Sequence, residues 1–300
     1  MSRAALQRAG VPVPRVAMSV AAFEALPYAQ AGEYLRAVEG AGVEMVWYGE
    51  VLGREAFTVG LASLAATSRL VVGTGVARAL ERGPKSAAAA SSFLWEAFPG
   101  RYVLGLGVSG ASRERGLGPM PFMRGYLDEL DQNLERTGVR ERPPRILGAY
   151  SEGLTKLARD RTDGLMTFMV TPSHTTWARS VLGADPFLGV GCRVIFDEDP
   201  GSARALAREK VAYYLGLPHQ QNKLLKLGFT DEDFSYGGSD RLIDAMFAWG
   251  SPEQVAHRLG EHLAAGADQV TVGLEQGPRA DLLDNVTAVQ RLLGEELDPA

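Results

Sequence analysis

The sequence predicts a (β/α)8 barrel, the TIM-barrel form of the α/β class. Three observations carry that prediction. Eight short apolar runs alternate with helical segments along the 300 residues. The clearest unit, residues 69–110, reads RLVVGTGVAR, then KSAAAASSFLWEAF over 85–98, then FPGRYVLGLGVSG. That is strand, helix, strand, an order that forces parallel pairing. Third, no GxGxxG opens a helix after the first strand, which argues against the rival doubly wound sheet. The chain then reads as one domain, 1–300, with residues 216–250 inserted between strands seven and eight.

In order, RVAMSV at 15–20 is the first strand, and YAQAGEYLRAVEGA at 28–41 a helix that stops at Gly42. VEMVWY at 43–48 is the second strand, 56–66 a helix, and 70–75 the third strand. Residues 102–108 form the fourth. The Gly-, Arg- and Pro-rich stretch 109–122 reads as a loop over one end of the sheet. A helix at 123–136, a short strand RIL at 145–147, a helix at 151–161 and a strand GLMTFM at 164–169 follow. Thr171 and Pro172 open the next helix, with Pro at its first position. GVGCRVIF at 189–196 is the seventh strand and 200–215 a long helix. The insertion has helical pieces at 222–227 and 240–249. Ser251-Pro-Glu-Gln254 is a capping signature for a helix to Ala265. QVTVGL at 269–274 is the eighth strand, and 279–293 the closing helix.

A net charge of −5, with 46% hydrophobic and 22% charged residues, gives no basis for nucleic-acid or acidic-membrane binding. Cys192 is the sole cysteine, so no internal disulfide forms and the expected setting is reducing and cytoplasmic. The opening MSRAALQRAGVPVPR lacks the apolar core of a secretory leader, and no apolar run is long enough to span a bilayer. No metal site or GxSxG hydrolase elbow is legible.

Ligands of a (β/α)8 barrel sit at the carboxyl ends of the strands. That selects Ser19, Glu50, residues 73–78, 107–110, 148–151 and 167–171. Gly148-Ala-Tyr150-Ser151 ends a strand and starts a helix, where free amides and the helix dipole favour a phosphate; the alternative is a plain serine cap. Glu50 is a carboxylate at the end of strand two, with a solvated loop residue as the alternative reading. Arg78 is able to reach a phosphate or carboxylate. His174, on the same side, is the acid–base candidate, with helix capping as its alternative role. His257 and His262 read as surface residues of an outer helix, and His219 lies in the insertion. Phe168 and Met169 are candidates to line an apolar pocket, and the four tryptophans mostly read as core.

The segments 69–77 and 98–109, their spacing, and AAGADQVTV at 264–272 resemble the bacterial luciferase-like oxidoreductases over nearly the whole chain. YYLGLPHQQNKLLKLGFTDEDF at 213–234 and GGSDRLIDA at 237–245 are similar to the actinobacterial, coenzyme F420-dependent branch. The resemblance implies a (β/α)8 barrel with an insertion before the last strand, and a homodimer paired through an outer face. It implies cofactor-phosphate contacts at Tyr150, Ser151, Gly153 and Leu154, a non-prolyl cis bond at Gly75-Val76 backing the ring, an acidic Glu50 near the ring, and tail contacts at Val108 and Ser109. The chain departs from the family at three polar positions. Val51 stands where some relatives carry a catalytic histidine, Gly110 where a His or Glu is expected, and Arg78 near an expected Asn.

Three activities follow. The first is an oxidoreductase that uses reduced coenzyme F420 for hydride transfer to a small organic substrate. The second is an FMN-dependent monooxygenase of the same fold. The third, motivated by the departures, is a cofactor-free barrel with a binding or non-redox role.

Overall fold

The computed structural model describes residues 4–20, 26–51, 53–108, 116, 118–138, 141–275 and 282–293. The strands are β1 (Val16–Ser19), β2 (Met45–Tyr48), β3 (Val71–Thr74), β4 (Ala77–Arg78), β5 (Tyr102–Gly107), β6 (Arg145–Gly148), β7 (Gly164–Phe168), β8 (Phe187–Ile195), β9 (Phe247–Trp249) and β10 (Gln269–Leu274). All pairings are parallel. The order β10-β1-β2-β3-β5-β6-β7-β8 closes on itself through β8 and β10, giving the eight-stranded barrel that the alternation predicts. β4 continues β3 alongside β5 after a two-residue break, and β9 adds to the upper part of β8.

The helices are α1 (Ala4–Arg8), α2 (Tyr28–Gly40), α3 (Ala56–Ala66), α4 (Pro84–Ala97), α5 (Pro119–Thr137), α6 (Glu152–Arg161), α7 (Pro172–Leu182), α8 (Pro200–Leu215), α9 (Pro218–Lys226), α10 (Asp240–Met246), α11 (Pro252–Ala264) and α12 (Leu282–Leu293). None among the described residues is long and apolar enough to cross a membrane. The insertion folds as α9, a 3₁₀ turn at Asp231–Gly237, α10 and β9. Residues 247–249, which the sequence extends as helix, leave α10 to pair with Arg193, Val194 and Ile195 of β8. The predicted closing helix is described from Leu282.

Alternation along the strands sorts the core into two layers. Val46, Val72, Leu104, Leu147, Leu165, Val190 and Val272 are buried outward, beneath the helices. Their neighbours face the lumen, where the register lines up Trp47 with Gly73, Gly105 with Ile146, Gly148 with Met166, and Phe168 with Gly191. Large and small side chains share this space. Trp47 stacks on Phe187 with ring centroids 6.3 Å apart, and its indole N–H donates to Gln269 at 2.8 Å. A Cβ on Gly73 would lie 2.3 Å from the Trp47 ring. Aromatic bulk thus fills the lower lumen. Toward the carboxyl ends the inward positions become Gly75, Gly107, Gly148, Gly191 and Gly273.

Candidate active site

The mouth begins at the turn between β3 and β4. The Gly75-Val76 peptide is cis, as the resemblance implies. Gly75 N–H donates to the Tyr48 carbonyl at 2.7 Å, which fixes the turn against the end of β2. Val76 then lies over the ends of β5 and β6. A Cβ on Gly107 would stand 2.3 Å from its Cγ2, and one on Gly148 2.8 Å from its Cγ1. The two glycines form a cradle that Val76 alone fills, leaving a smooth apolar wall. Val108 follows at the end of β5, packed against the core. Ser109 and Gly110 lie outside the described residues.

Across β6, Ser151 occupies the N-cap position of α6 (φ −96°, ψ 150°) but makes no capping hydrogen bond. Elsewhere the acceptor-bearing caps Glu55, Thr171, Asp199, Ser239 and Ser251 all bond their helices. The plain serine cap is therefore not what the structure contains. The first intrahelical amide bond is Thr155 to the Ser151 carbonyl, so the amides of Glu152, Gly153 and Leu154 have no partner among the described residues. Tyr150 precedes them, its hydroxyl donating to the His219 carbonyl at 3.2 Å.

His174 stands beside this terminus on the first turn of α7. Its Nε2 lies 3.1 Å from the Tyr150 carbonyl and so carries the proton of that bond, while Nδ1 is buried without a partner among the described residues. Burial pushes its pKa down, with the nearby Lys223 charge adding to the effect. Thr171 caps the same helix through its hydroxyl, a role the sequence left open for His174.

Glu50 is neither solvated nor free. Its side chain is only 8% exposed and its carboxylate accepts from the Arg78 amide at 2.7 Å, the Ala56 amide at 3.2 Å, and both terminal nitrogens of Arg82, one at 2.9 Å. Four donors leave it holding β4 and α3 in place. Arg78 itself pairs with Glu81 at 3.3 Å.

Phe168 faces inward at the end of β7, with its ring over Gly191 and 37% exposed in the mouth. Met169 turns away with φ +49° into the cluster under α8, so it does not share that pocket. His262, expected at the surface, is buried and bonds the Thr175 hydroxyl through Nδ1 at 2.9 Å; burial holds its pKa down at about 4. His257 is half exposed, as expected.

Three charged residues of the mouth escaped the sequence reading. Arg193 on β8 and Glu275 just past β10 face each other at 2.5 Å, side chains 16% and 13% exposed. Their signal was present as parity: Gly189, Gly191 and Arg193 share one face of β8. Lys223 of α9 is only 3% exposed, its ammonium donating to the Phe168 carbonyl at 3.0 Å, and burial lowers its pKa to about 8. No carboxylate among the described residues pairs with it. Its burial depends on the insertion folding back onto β7, which no local pattern announces. A separate cleft of about 410 Å3 runs between α4 and α5, past Arg82, Phe122 and Tyr126.

The profile of the luciferase-like monooxygenases matches residues 12–269. The chain belongs to that family. A 5,10-methylenetetrahydromethanopterin reductase of Archaeoglobus fulgidus is 24% identical across 91% of this chain and 96% of its own length. An F420-dependent secondary alcohol dehydrogenase, solved with an F420–acetone adduct, superimposes with a TM-score of 0.73 at 14% identity, covering 94% of this chain and 98% of that one. The FMN-bound oxygenating component of 3,6-diketocamphane monooxygenase from Pseudomonas putida gives 0.66 at 14% identity, covering 94% and 97%. The family thus comprises luciferase-like oxidoreductases and monooxygenases, with F420-dependent and FMN-binding enzymes among the relatives.

Proposed function

We propose that this chain is an oxidoreductase that holds reduced coenzyme F420 in the barrel mouth and reduces a small organic substrate. The observation that carries the reading is the open α6 terminus. Three unpartnered amides at the positive end of a helix dipole form a seat for a cofactor phosphate, beside a Val76 wall suited to a flat ring. When bound, the deazaflavin supplies a hydride to carbon.

The chain's own residues would bind and orient. Tyr150, Ser151, Gly153 and Leu154 frame the phosphate seat, and His174 fixes the Tyr150 carbonyl ahead of it. Gly75 and Val76 back the ring, and Val108 and Ser109 meet the cofactor tail. Glu50 acts at one remove, since it holds the β4 turn that carries Arg78. Phe168 lines the substrate side.

We also propose a homodimer paired through α3 and α4. Leu61 and Phe93 are exposed on these adjacent helices, with Ala65 and Ala89 exposed beside them. Little charge interrupts the patch.

The deciding experiment titrates the protein with coenzyme F420 and, separately, FMN, following fluorescence quenching. Micromolar binding of F420 alone is the expected result. Preference for FMN would transfer the assignment to a monooxygenase. Binding of neither would leave the cofactor-free barrel. A Ser151→Pro variant, which distorts the phosphate seat, should weaken F420 binding about tenfold or more, about 1.4 kcal/mol.

A further inference from the structure

Among the described residues, one carboxyl group faces the lumen from a barrel strand or its continuation. Gln269, Thr271, Gly273 and Glu275 share the inward parity of β10, and β8 presents Gly191 and Arg193 beside them. In the ring of eight strands, β8 stands opposite β3. A ligand backed by Val76 on the β3 side therefore turns its other side toward Arg193 and Glu275.

This wall is built to hold one carboxyl group. Arg193 Nε sits 2.5 Å from a Glu275 oxygen as a charge contact, its N–H not aligned for a hydrogen bond to that oxygen, and the Glu275 amide donates to the Val194 carbonyl at 2.8 Å. The guanidinium is fixed from behind, donating to the Tyr214 hydroxyl at 3.2 Å and lying 5.9, 5.4 and 6.0 Å from the ring centroids of Phe168, Tyr214 and Phe247. Next to the pair, the Thr271 hydroxyl is buried with no hydrogen-bond partner among the described residues.

We propose that Glu275 is the proton donor of this site, and that Arg193 is its positioning partner. The proposal rests on the hydride-transfer reading above. As the substrate carbon of C=O or C=N takes the hydride, Glu275 gives its proton to the oxygen or nitrogen. The π bond and the Glu275 O–H bond break, C–H and O–H or N–H bonds form, and the two electrons are those that a bound reduced deazaflavin would supply. The carboxylate is left in ion-pair contact with Arg193 and is reprotonated from water. Burial favours the acid form before transfer and Arg193 favours the carboxylate after it, so Glu275 is poised between the two. The other charged groups facing it are Lys210, which opposes the acid form, and Glu209, which favours it, both on α8; Tyr214 on α8 acts through Arg193.

The test has an apo arm and a ligand arm. In the unliganded protein, the infrared carboxylic-acid band lost in Glu275→Gln should titrate above the ordinary glutamate range, move further up in Arg193→Met, and stay near the wild-type position in Arg193→Lys. Absence of a titrating band assignable to Glu275 overturns the proposal. In the ligand arm, F420 affinity of the wild type should change about threefold or more between about pH 4.5 and 7.5. Glu275→Gln, which mimics the protonated carboxyl, should bind at every pH as the wild type does at the acid end. A variant that keeps the wild-type pH step overturns the assignment of Glu275 while the cofactor reading stands. Wild-type protein that binds neither F420 nor FMN overturns the cofactor reading, and the donor role with it.

Discussion

A methyl group on Gly105 would stand 1.8 Å from the Thr74 carbonyl oxygen. The obstacle is backbone, and the Thr74 hydroxyl pins it further by bonding Gly105 N–H and C=O at 2.7 Å each. Gly105→Ala should cost about 2–3 kcal/mol, read as a lower urea midpoint. Gly107→Ala differs in kind, because its obstacle is the Val76 side chain. That variant should fold, with circular dichroism unchanged, and bind F420 about tenfold more weakly, about 1.4 kcal/mol. In the sequence these glycines read only as small residues at strand ends; the neighbour that demands each one, backbone for Gly105 and the Val76 side chain for Gly107, is set by register. Arg193 was available to a reader who followed strand parity past Gly191. Lys223 was not, because a lysine in an amphipathic helix reads as solvated until the insertion is folded.

Elements are joined by single side chains at two places that matter for the mouth. Glu50 ties the end of β2 to β4 and to the start of α3, with Arg82 as a buried counter-charge that also reaches Glu55 at 3.1 Å. Glu50→Ala strips Arg82 of its buried partner and should destabilise the protein by about 3 kcal/mol. Calorimetry would register it even if no cofactor is bound. The short β4 itself was missed in the sequence because two residues carry no periodicity. Helices α3 and α8 and strand β10 coincide with the sequence boundaries, since caps or apolar alternation mark their ends. On the outer layer, Phe93→Asp should convert the expected dimer to a monomer in sedimentation at micromolar concentration without loss of helix content.

For the molecule as a whole, buried bases make stability depend on pH. His262 is held near 4 in the fold against 6.5 unfolded, so below 6.5 the unfolded chain binds the extra proton. Stability should therefore fall as pH drops from about 6.5 to 4, by about 3 kcal/mol, and His262→Gln should remove most of that slope. Lys223, near 8 in the fold against 10.5, has the same sign in another window: stability rises as pH increases from about 8 to 10.5. Neither trend is legible in the order of residues, whereas the barrel is, because eight alternations of strand and helix leave few other ways to close a parallel sheet. The stack of Trp47 on Phe187, held by Gln269, also sets a depth: it acts as a floor, so that a flat molecule coming in from the carboxyl ends of the strands would come to rest on aromatic carbon.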